Sequence, residues 1–70
     1  MGFTYSKLWK KLIDEGMSKT DLREKIKISP STLAKMSKNQ YVSMEILEKI
    51  CIEFNCDISE ILEFKNNENI

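Results

Sequence analysis

The Ser29–Pro30 pair, which follows closely on a short helical segment, constrains the fold of this chain more than any other feature. Ser29 is a favoured N-cap residue, and proline suits the first helical position because an N–H there would have no intrahelical partner. The preceding segment starts after Ser18 and places Leu22 and Ile26 one helical turn apart. It ends near residue 25 or 26, so the sequence predicts two helices joined by only three or four residues.

Further start and stop residues divide the rest of the chain into short helices. Ser6 is a candidate N-cap for a first helix over residues 6–15, and Gly16 suits the left-handed position after it. Ser43 precedes a fourth helix, and Asp57 precedes a short fifth one. The predicted apolar stripes contain Leu8, Trp9, Leu12, Ile13, Leu22, Ile26, Leu33, Met36, Met44, Leu47, Ile50, Cys51, Phe54, Ile58, Ile61 and Leu62. Five helices without a strand predict an all-α fold.

The length of 70 residues limits this fold to one small domain. We expect the domain to occupy residues 1–64 and a polar, flexible tail to occupy residues 65–70. A chain of this size buries only about 60% of its unfolded surface, so its stability is expected to be marginal or shared with a second subunit.

The charges are distributed unevenly, although the formal net charge is zero. Residues 1–40 contain nine Lys and Arg against four Asp and Glu, a balance of +5, and residues 41–70 contain two against seven, a balance of −5. This asymmetry favours a basic binding surface with an acidic rear over a chance segregation of charge.

The residue types present in the sequence argue against catalysis and against a metal site. The chain has no histidine, and Cys51 and Cys56 alone cannot supply four zinc ligands. Their apolar neighbours indicate core thiols of a cytoplasmic protein rather than redox or metal roles. No phosphate-binding loop or nucleophile motif is present, so we expect neither an enzyme nor a bound cofactor or small molecule. No apolar run predicts a membrane span or a secretion signal.

The third helix has a polar face whose composition suits DNA. Ser31, Thr32, Lys35 and Lys38 follow an i, i+1, i+4, i+7 pattern and are predicted to share one exposed face. Hydroxyl groups near the start of a helix can contact base edges or phosphates, and lysine can donate to guanine acceptors in the major groove. Ser29 and the free N–H groups of the first turn could also bind a phosphate.

The segments "SKTDLREKIKISPSTLAKMSKNQ" and "VSMEILEKICIEFNCDISEIL" resemble the phage-repressor and Cro-like (Xre-type) transcriptional regulators. The opening "YSKLWKKLIDEGMSKTDLREK" is similar to a compact, single-domain bacterial subgroup, and the resemblance extends over about residues 5–64. It implies a five-helix, lambda-repressor-like domain with the helix-turn-helix at helices 2 and 3. It also implies a regulator, expected to be a repressor, that binds a palindromic DNA operator as a homodimer.

The resemblance also assigns roles to individual residues. The base-reading positions correspond to Ser31, Thr32 and Lys35, and the phosphate-contacting positions to Lys19, Lys38, Asn39 and Gln40. Three positions depart from the family pattern. Arg23 stands where alanine is usual, Lys27 replaces a turn glycine and is expected to adopt a positive φ, and Pro30 replaces a polar base-reading residue.

Several alternatives remain open at this point. Lys10 and Lys11 could reach phosphates or belong to a solvated face, and Tyr41 could contact a phosphate or pack on the edge of the domain. Ile61 and Phe64 could belong to the core or form a dimer contact. An antitoxin-like or other protein-interaction module that retains the fold is the alternative function, favoured by Pro30, by the zero net charge and by the acidic rear.

Overall fold

The computed structural model describes residues 2–65, which form four α-helices, one 3-10 turn and a two-stranded sheet. In chain order the elements are β1 (Gly2–Thr4), α1 (Ser6–Glu15), α2 (Lys19–Ile26), α3 (Pro30–Ser37), α4 (Met44–Phe54), the 3-10 turn (Ile58–Glu60) and β2 (Glu63–Lys65). The prediction of a mostly helical fold with a helix-turn-helix at helices 2 and 3 is confirmed. Residue 1 and residues 66–70, which include most of the predicted tail, lie outside the described part of the chain.

Three serine caps define the starts of the central helices, as the sequence predicted. The Oγ atoms of Ser18, Ser29 and Ser43 each accept a hydrogen bond from the backbone N–H three residues later, at 3.0, 3.2 and 3.3 Å. The prediction for Ser6 was wrong by one position, because Tyr5 is the residue that precedes α1 and it makes no side-chain cap. These caps satisfy backbone donors that the first turn of a helix leaves without partners.

The turn between α2 and α3 depends on one unusual backbone conformation. Lys27 has φ 59° and ψ 51°, so the positive φ expected at this position is confirmed. Its N–H donates to the carbonyl oxygen of Arg23, and the N–H of Ile28 donates to the same oxygen at 3.1 Å. Because Ile28 is buried, the turn is fixed to the core and the angle between the two helices is fixed with it.

The predicted fifth helix is a single 3-10 turn, so the expectation of five α-helices was wrong. The cap was placed correctly, since Asp57 accepts from the backbone N–H of Ser59 and Glu60 accepts from that of Asp57. After one turn the chain leaves the helical conformation at Ile61 and continues into β2. Residues 63–65, which would continue a longer helix, are paired with β1 instead.

The two strands join both ends of the described chain, which the sequence did not predict. They pair antiparallel with Phe3 opposite Phe64, Gly2 opposite Lys65 and Thr4 opposite Glu63. The rings of Phe3 and Phe64 meet edge to face with their centroids 5.3 Å apart. The sheet therefore ties the segment before α1 to the segment that follows the 3-10 turn.

The core lies between the four helices, with α2 packed against α1, α3 and α4. Its buried residues are Tyr5, Leu8, Leu12, Leu22, Ile26, Ile28, Met36, Leu47, Ile50 and Ile61. Two predicted core residues are instead on the surface, since Ile13 is 76% exposed and Met44 is 70% exposed. Ile61 is fully buried, so it is a core residue and has no surface with which to contact a second subunit.

The two cysteines are half-buried free thiols that pack against this core, as predicted. Burial is the main reason that the pKa of the Cys56 thiol is raised above its usual value, and the nearby Cys51 adds to the effect. A raised pKa keeps the thiol protonated and unreactive at neutral pH. Among the described residues, no group of His, Cys, Asp and Glu side chains could hold a metal ion. None of the helices in residues 2–65 is long and apolar enough to cross a membrane.

Candidate nucleic-acid interface

The start of α3 carries a cluster of three hydroxyl groups. The Oγ atom of Ser29 lies 2.9 Å from Ser31 Oγ and 3.0 Å from Thr32 Oγ1, and it also accepts from the backbone N–H of Thr32. These contacts use the full hydrogen-bonding capacity of Ser29, whereas Ser31 and Thr32 each keep capacity for a further partner. Ser29 therefore orients the other two hydroxyls, in addition to capping the helix.

The exposed face of α3 differs in one residue from the face that the sequence predicted. Ser31, Ala34, Lys35 and Lys38 are exposed, at the i, i+3, i+4, i+7 spacing of a single helical face. Thr32 is half-buried and lies to one side of this face, next to Ser29. Ala34 was not among the predicted site residues; a methyl group in the middle of the polar face lets another surface approach the helix closely.

Lys19, at the start of α2, is held in place by residues of two other helices. Its Nζ lies 4.2 Å from the ring centroid of Trp9 in α1 and donates to Ser37 Oγ in α3 at 3.2 Å. An ammonium group over an indole face is attracted by the ring quadrupole. The sequence indicated Lys19 but not its neighbours, because the contact depends on how three helices pack.

The loop after α3 is fixed from the other side by Tyr5. Asn39 has φ 58°, and its Oδ1 accepts from the backbone N–H of Tyr5 at 3.2 Å. The buried Tyr5 hydroxyl donates to the carbonyl oxygen of Gln40 at 2.8 Å, and burial raises the pKa of this hydroxyl above its usual value. Within residues 2–65, the Nδ2 group of Asn39 has no hydrogen-bond partner, so it is available as a donor. Tyr41 is 75% exposed and meets Phe3 edge to face, which supports packing on the edge of the domain.

Acidic residues of the second half of the chain pair with some of the lysines of the first half. Lys11 pairs with Glu60 at 3.7 Å, and Lys25 pairs with Glu53 at 3.5 Å. Within the described residues, no ion pair involves Lys10, Lys19, Lys35 or Lys38. The lysines of α3 and of the start of α2 are therefore among those whose charge no acidic side chain of residues 2–65 neutralises.

A short turn between two helices, followed by a helix with a hydroxyl-rich start and a lysine-bearing face, defines a helix-turn-helix DNA-binding domain. A family model described as the Cro/C1-type HTH DNA-binding domain matches residues 7–67. The chain belongs to this family, as its resemblance to Cro-like regulators indicated.

Among solved structures, the chain is similar to the crystal structure of the transcriptional regulator VanUg, Form II. The two are 45% identical in sequence, and the TM-score of 0.90 extends over 94% of this chain and 88% of that one. A comparison with curated protein sequences finds no match.

Replacing Trp9 with leucine is expected to weaken DNA binding by about twofold to fivefold for each subunit bound, because an exposed cation–π contact contributes about 0.5–1 kcal/mol. The loss arises because Lys19 must then be ordered at the moment of binding. Affinity for a DNA duplex should be measured for the Trp9→Leu, Lys19→Ala and double variants. If Trp9 acts through Lys19, the leucine substitution has no further effect once Lys19 is alanine; an equal loss in both backgrounds would assign Trp9 a merely structural role.

Proposed function

We propose that the protein is a sequence-specific transcriptional regulator that binds a palindromic DNA operator as a homodimer. In this proposal α3 lies in the major groove, with Ser31, Thr32 and Lys35 at the base edges. Lys19, Lys38, Asn39 and Gln40 contact phosphates on either side of the groove. Ser29 meets a phosphate at the start of the helix through its backbone N–H, together with the free N–H groups of the first turn. Bound at a promoter, the dimer represses transcription by blocking access of the polymerase.

The observation that carries this proposal is the exposed face of α3. Ser31, Lys35 and Lys38 are exposed, whereas Met36 is fully buried and fixes the rotation of the helix about its axis. Ala34 lies between the polar residues, and its small side chain lets α3 come close to the floor of the major groove. The similarity to a protein described as a transcriptional regulator supports the same conclusion.

Two subunits are proposed because one domain of this size offers few phosphate contacts. Related helix-turn-helix dimers bind half-sites about 34 Å apart, which is one turn of B-DNA. Joining two weak contacts makes the second binding event intramolecular, which raises the overall affinity without a new contact. The cytoplasmic location expected from the sequence agrees with this role.

A selection of binding sites from a random duplex library tests the proposal. We expect enrichment of a palindrome whose half-site centres are about 10 bp apart. The Lys35→Ala variant should enrich a different or relaxed base at one position of each half-site, because lysine donates to specific acceptors in the major groove. The matched control is Lys49→Ala, which removes an exposed lysine of α4 outside the proposed interface and should leave the enriched sequence unchanged.

Absence of any enriched sequence, with the protein still folded, would contradict sequence-specific DNA binding. The outcome would then favour the alternative function, a protein-interaction module that keeps the helix-turn-helix fold. The zero net charge and Pro30 at the start of α3 are the features that favour this alternative.

A further inference from the structure

The small sheet has an open edge on each of its two strands. Among the described residues, β1 pairs only with β2, and no third strand covers either outer edge. An unpaired strand edge presents N–H and C=O groups that can pair with a strand of another chain. In β2 the residues Phe64 and Lys65 are exposed.

Exposed apolar side chains surround the same sheet. Phe3 is 41% exposed, Phe64 is 57% exposed, and Tyr41 is 75% exposed and in contact with Phe3. Given about 150–250 Å² for a whole aromatic side chain, these three rings leave on the order of 300–400 Å² open to solvent. A standard protein interface buries about 800 Å² on each subunit, so this patch would supply close to half of it.

The sequence of β2 is complementary to itself when two copies run antiparallel. A two-fold axis through Phe64 places Phe64 opposite its counterpart, and it places Glu63 of each strand opposite Lys65 of the other. Opposite charges at directly paired positions stabilise an antiparallel sheet, and like charges destabilise it. The outer edge of β1 has no such complementarity, because the same operation would place Gly2 opposite Thr4.

From this complementarity we infer that two copies of the chain form a homodimer by pairing β2 with β2 of the partner subunit in a continuous four-stranded sheet. Directly paired residues project to the same face of a sheet, so Phe3 and Phe64 of both subunits form one row of four rings. Two ion pairs between Glu63 and Lys65 lie on the opposite face. The inference rests on the proposed function, because that function requires a dimer. It adds the surface through which the two subunits are joined.

The sheet is also connected to the proposed DNA interface. Tyr5, which directly follows β1, holds Asn39 and Gln40 in the loop after α3. Tyr41 in that loop packs on Phe3. In a dimer formed at β2, the loop after α3 in each subunit therefore has a fixed position relative to the two-fold axis.

Charge exchange at β2 tests the inference by sedimentation equilibrium of the full chain without DNA. Glu63→Lys and Lys65→Glu each place like charges opposite one another, and each should weaken the homodimer by about tenfold or more. The double variant restores both ion pairs in reversed order, and its dimer should regain most of the original affinity. An equimolar mixture of the two single variants should form a heterodimer more tightly than either forms a homodimer.

A matched control and two contrary outcomes keep the test decisive. Glu48→Lys makes the same charge change at an exposed position of α4, and it should leave the dimer affinity unchanged. Circular dichroism confirms that each variant is folded. A protein that stays monomeric at all concentrations, or a dimer that the charge exchanges do not affect, would overturn the inference. Since no DNA is present, either result leaves the proposed binding of α3 to DNA to be decided separately by the site selection.

Discussion

Replacing Leu22 with alanine is expected to destabilise the protein by about 2–5 kcal/mol, the range measured for leucine-to-alanine changes in buried cores. Leu22 is fully buried in α2, the helix that packs against α1, α3 and α4. The whole free energy of unfolding of a 70-residue domain is about 4–10 kcal/mol, from about 0.05–0.15 kcal/mol per residue. The substitution therefore removes between a fifth and all of the stability.

Thermal unfolding followed by circular dichroism measures this effect. A loss of 1 kcal/mol lowers the Tm of a domain of this size by about 4–8 °C, so we expect a decrease of at least about 8 °C. Ile13→Ala is the matched control, because it removes a side chain of similar size that is 76% exposed. Its effect should stay within about 0.5 kcal/mol, as is usual for surface positions. Similar Tm values for the two variants would contradict the core described above.

Raising the salt concentration from 50 to 200 mM is expected to weaken DNA binding by about 10³–10⁵-fold, if the dimer contacts six to ten phosphates. The zero net charge of the chain makes this test informative. A strongly basic protein would lose affinity with salt even without specific contacts, whereas here the dependence reports the local lysines of the interface. An affinity that does not change with salt would favour the protein-interaction module.

A single lysine substitution measures how much of this salt dependence comes from one phosphate contact. Lys19→Ala should reduce the slope of log affinity against log salt by about 2 for the dimer, because each subunit then neutralises one phosphate fewer. It should weaken binding to all sequences about equally. Lys49→Ala, on the acidic half of the chain, should leave the slope unchanged. A reduced slope for both variants would indicate a diffuse electrostatic effect instead of a phosphate bound at Lys19.

The parts of the fold that depend on local hydrogen bonds were predictable from the sequence. Ser18, Ser29 and Ser43 cap helices because each side chain reaches an N–H three residues away, whatever the rest of the molecule does. The positive φ of Lys27 was expected only because a family resemblance identified the turn. Because these caps are local, the predicted starts of the helices agree with the structure to within about one residue, including the start near Ser6.

The parts that depend on distant residues were not predictable in the same way. The pairing of Phe3 with Phe64 joins positions near the two ends of the chain, and strands of three residues are too short to show an alternating pattern. Ile13 and Met44 have the spacing of core residues, but no other element within residues 2–65 covers them. Helical spacing identifies which residues share a face, and only packing decides which faces are buried.

In the proposed site, too, some features follow from the local sequence and others depend on how distant residues pack. Lys35 and Lys38 were expected on the exposed face of α3 and lie there, since their spacing is a property of the helix. Thr32 was placed on that face as well, but its hydroxyl turns to Ser29 and the residue is half-buried. The contact of Lys19 with Trp9 depends on the arrangement of α1 and α2, and no local pattern encodes it.

The position of Trp9 also gives the protein an optical label of its own. Trp9 is the only tryptophan in the sequence, so all indole fluorescence comes from one ring. The emission of indole responds to nearby charge, and the Lys19 ammonium group lies 4.2 Å from the ring centroid. A phosphate that approaches Lys19 changes the electric field at the ring, whether or not the ammonium group stays over it. Binding of unlabelled DNA by the unmodified chain can therefore be followed by emission from α1, without a dye that would alter the interface.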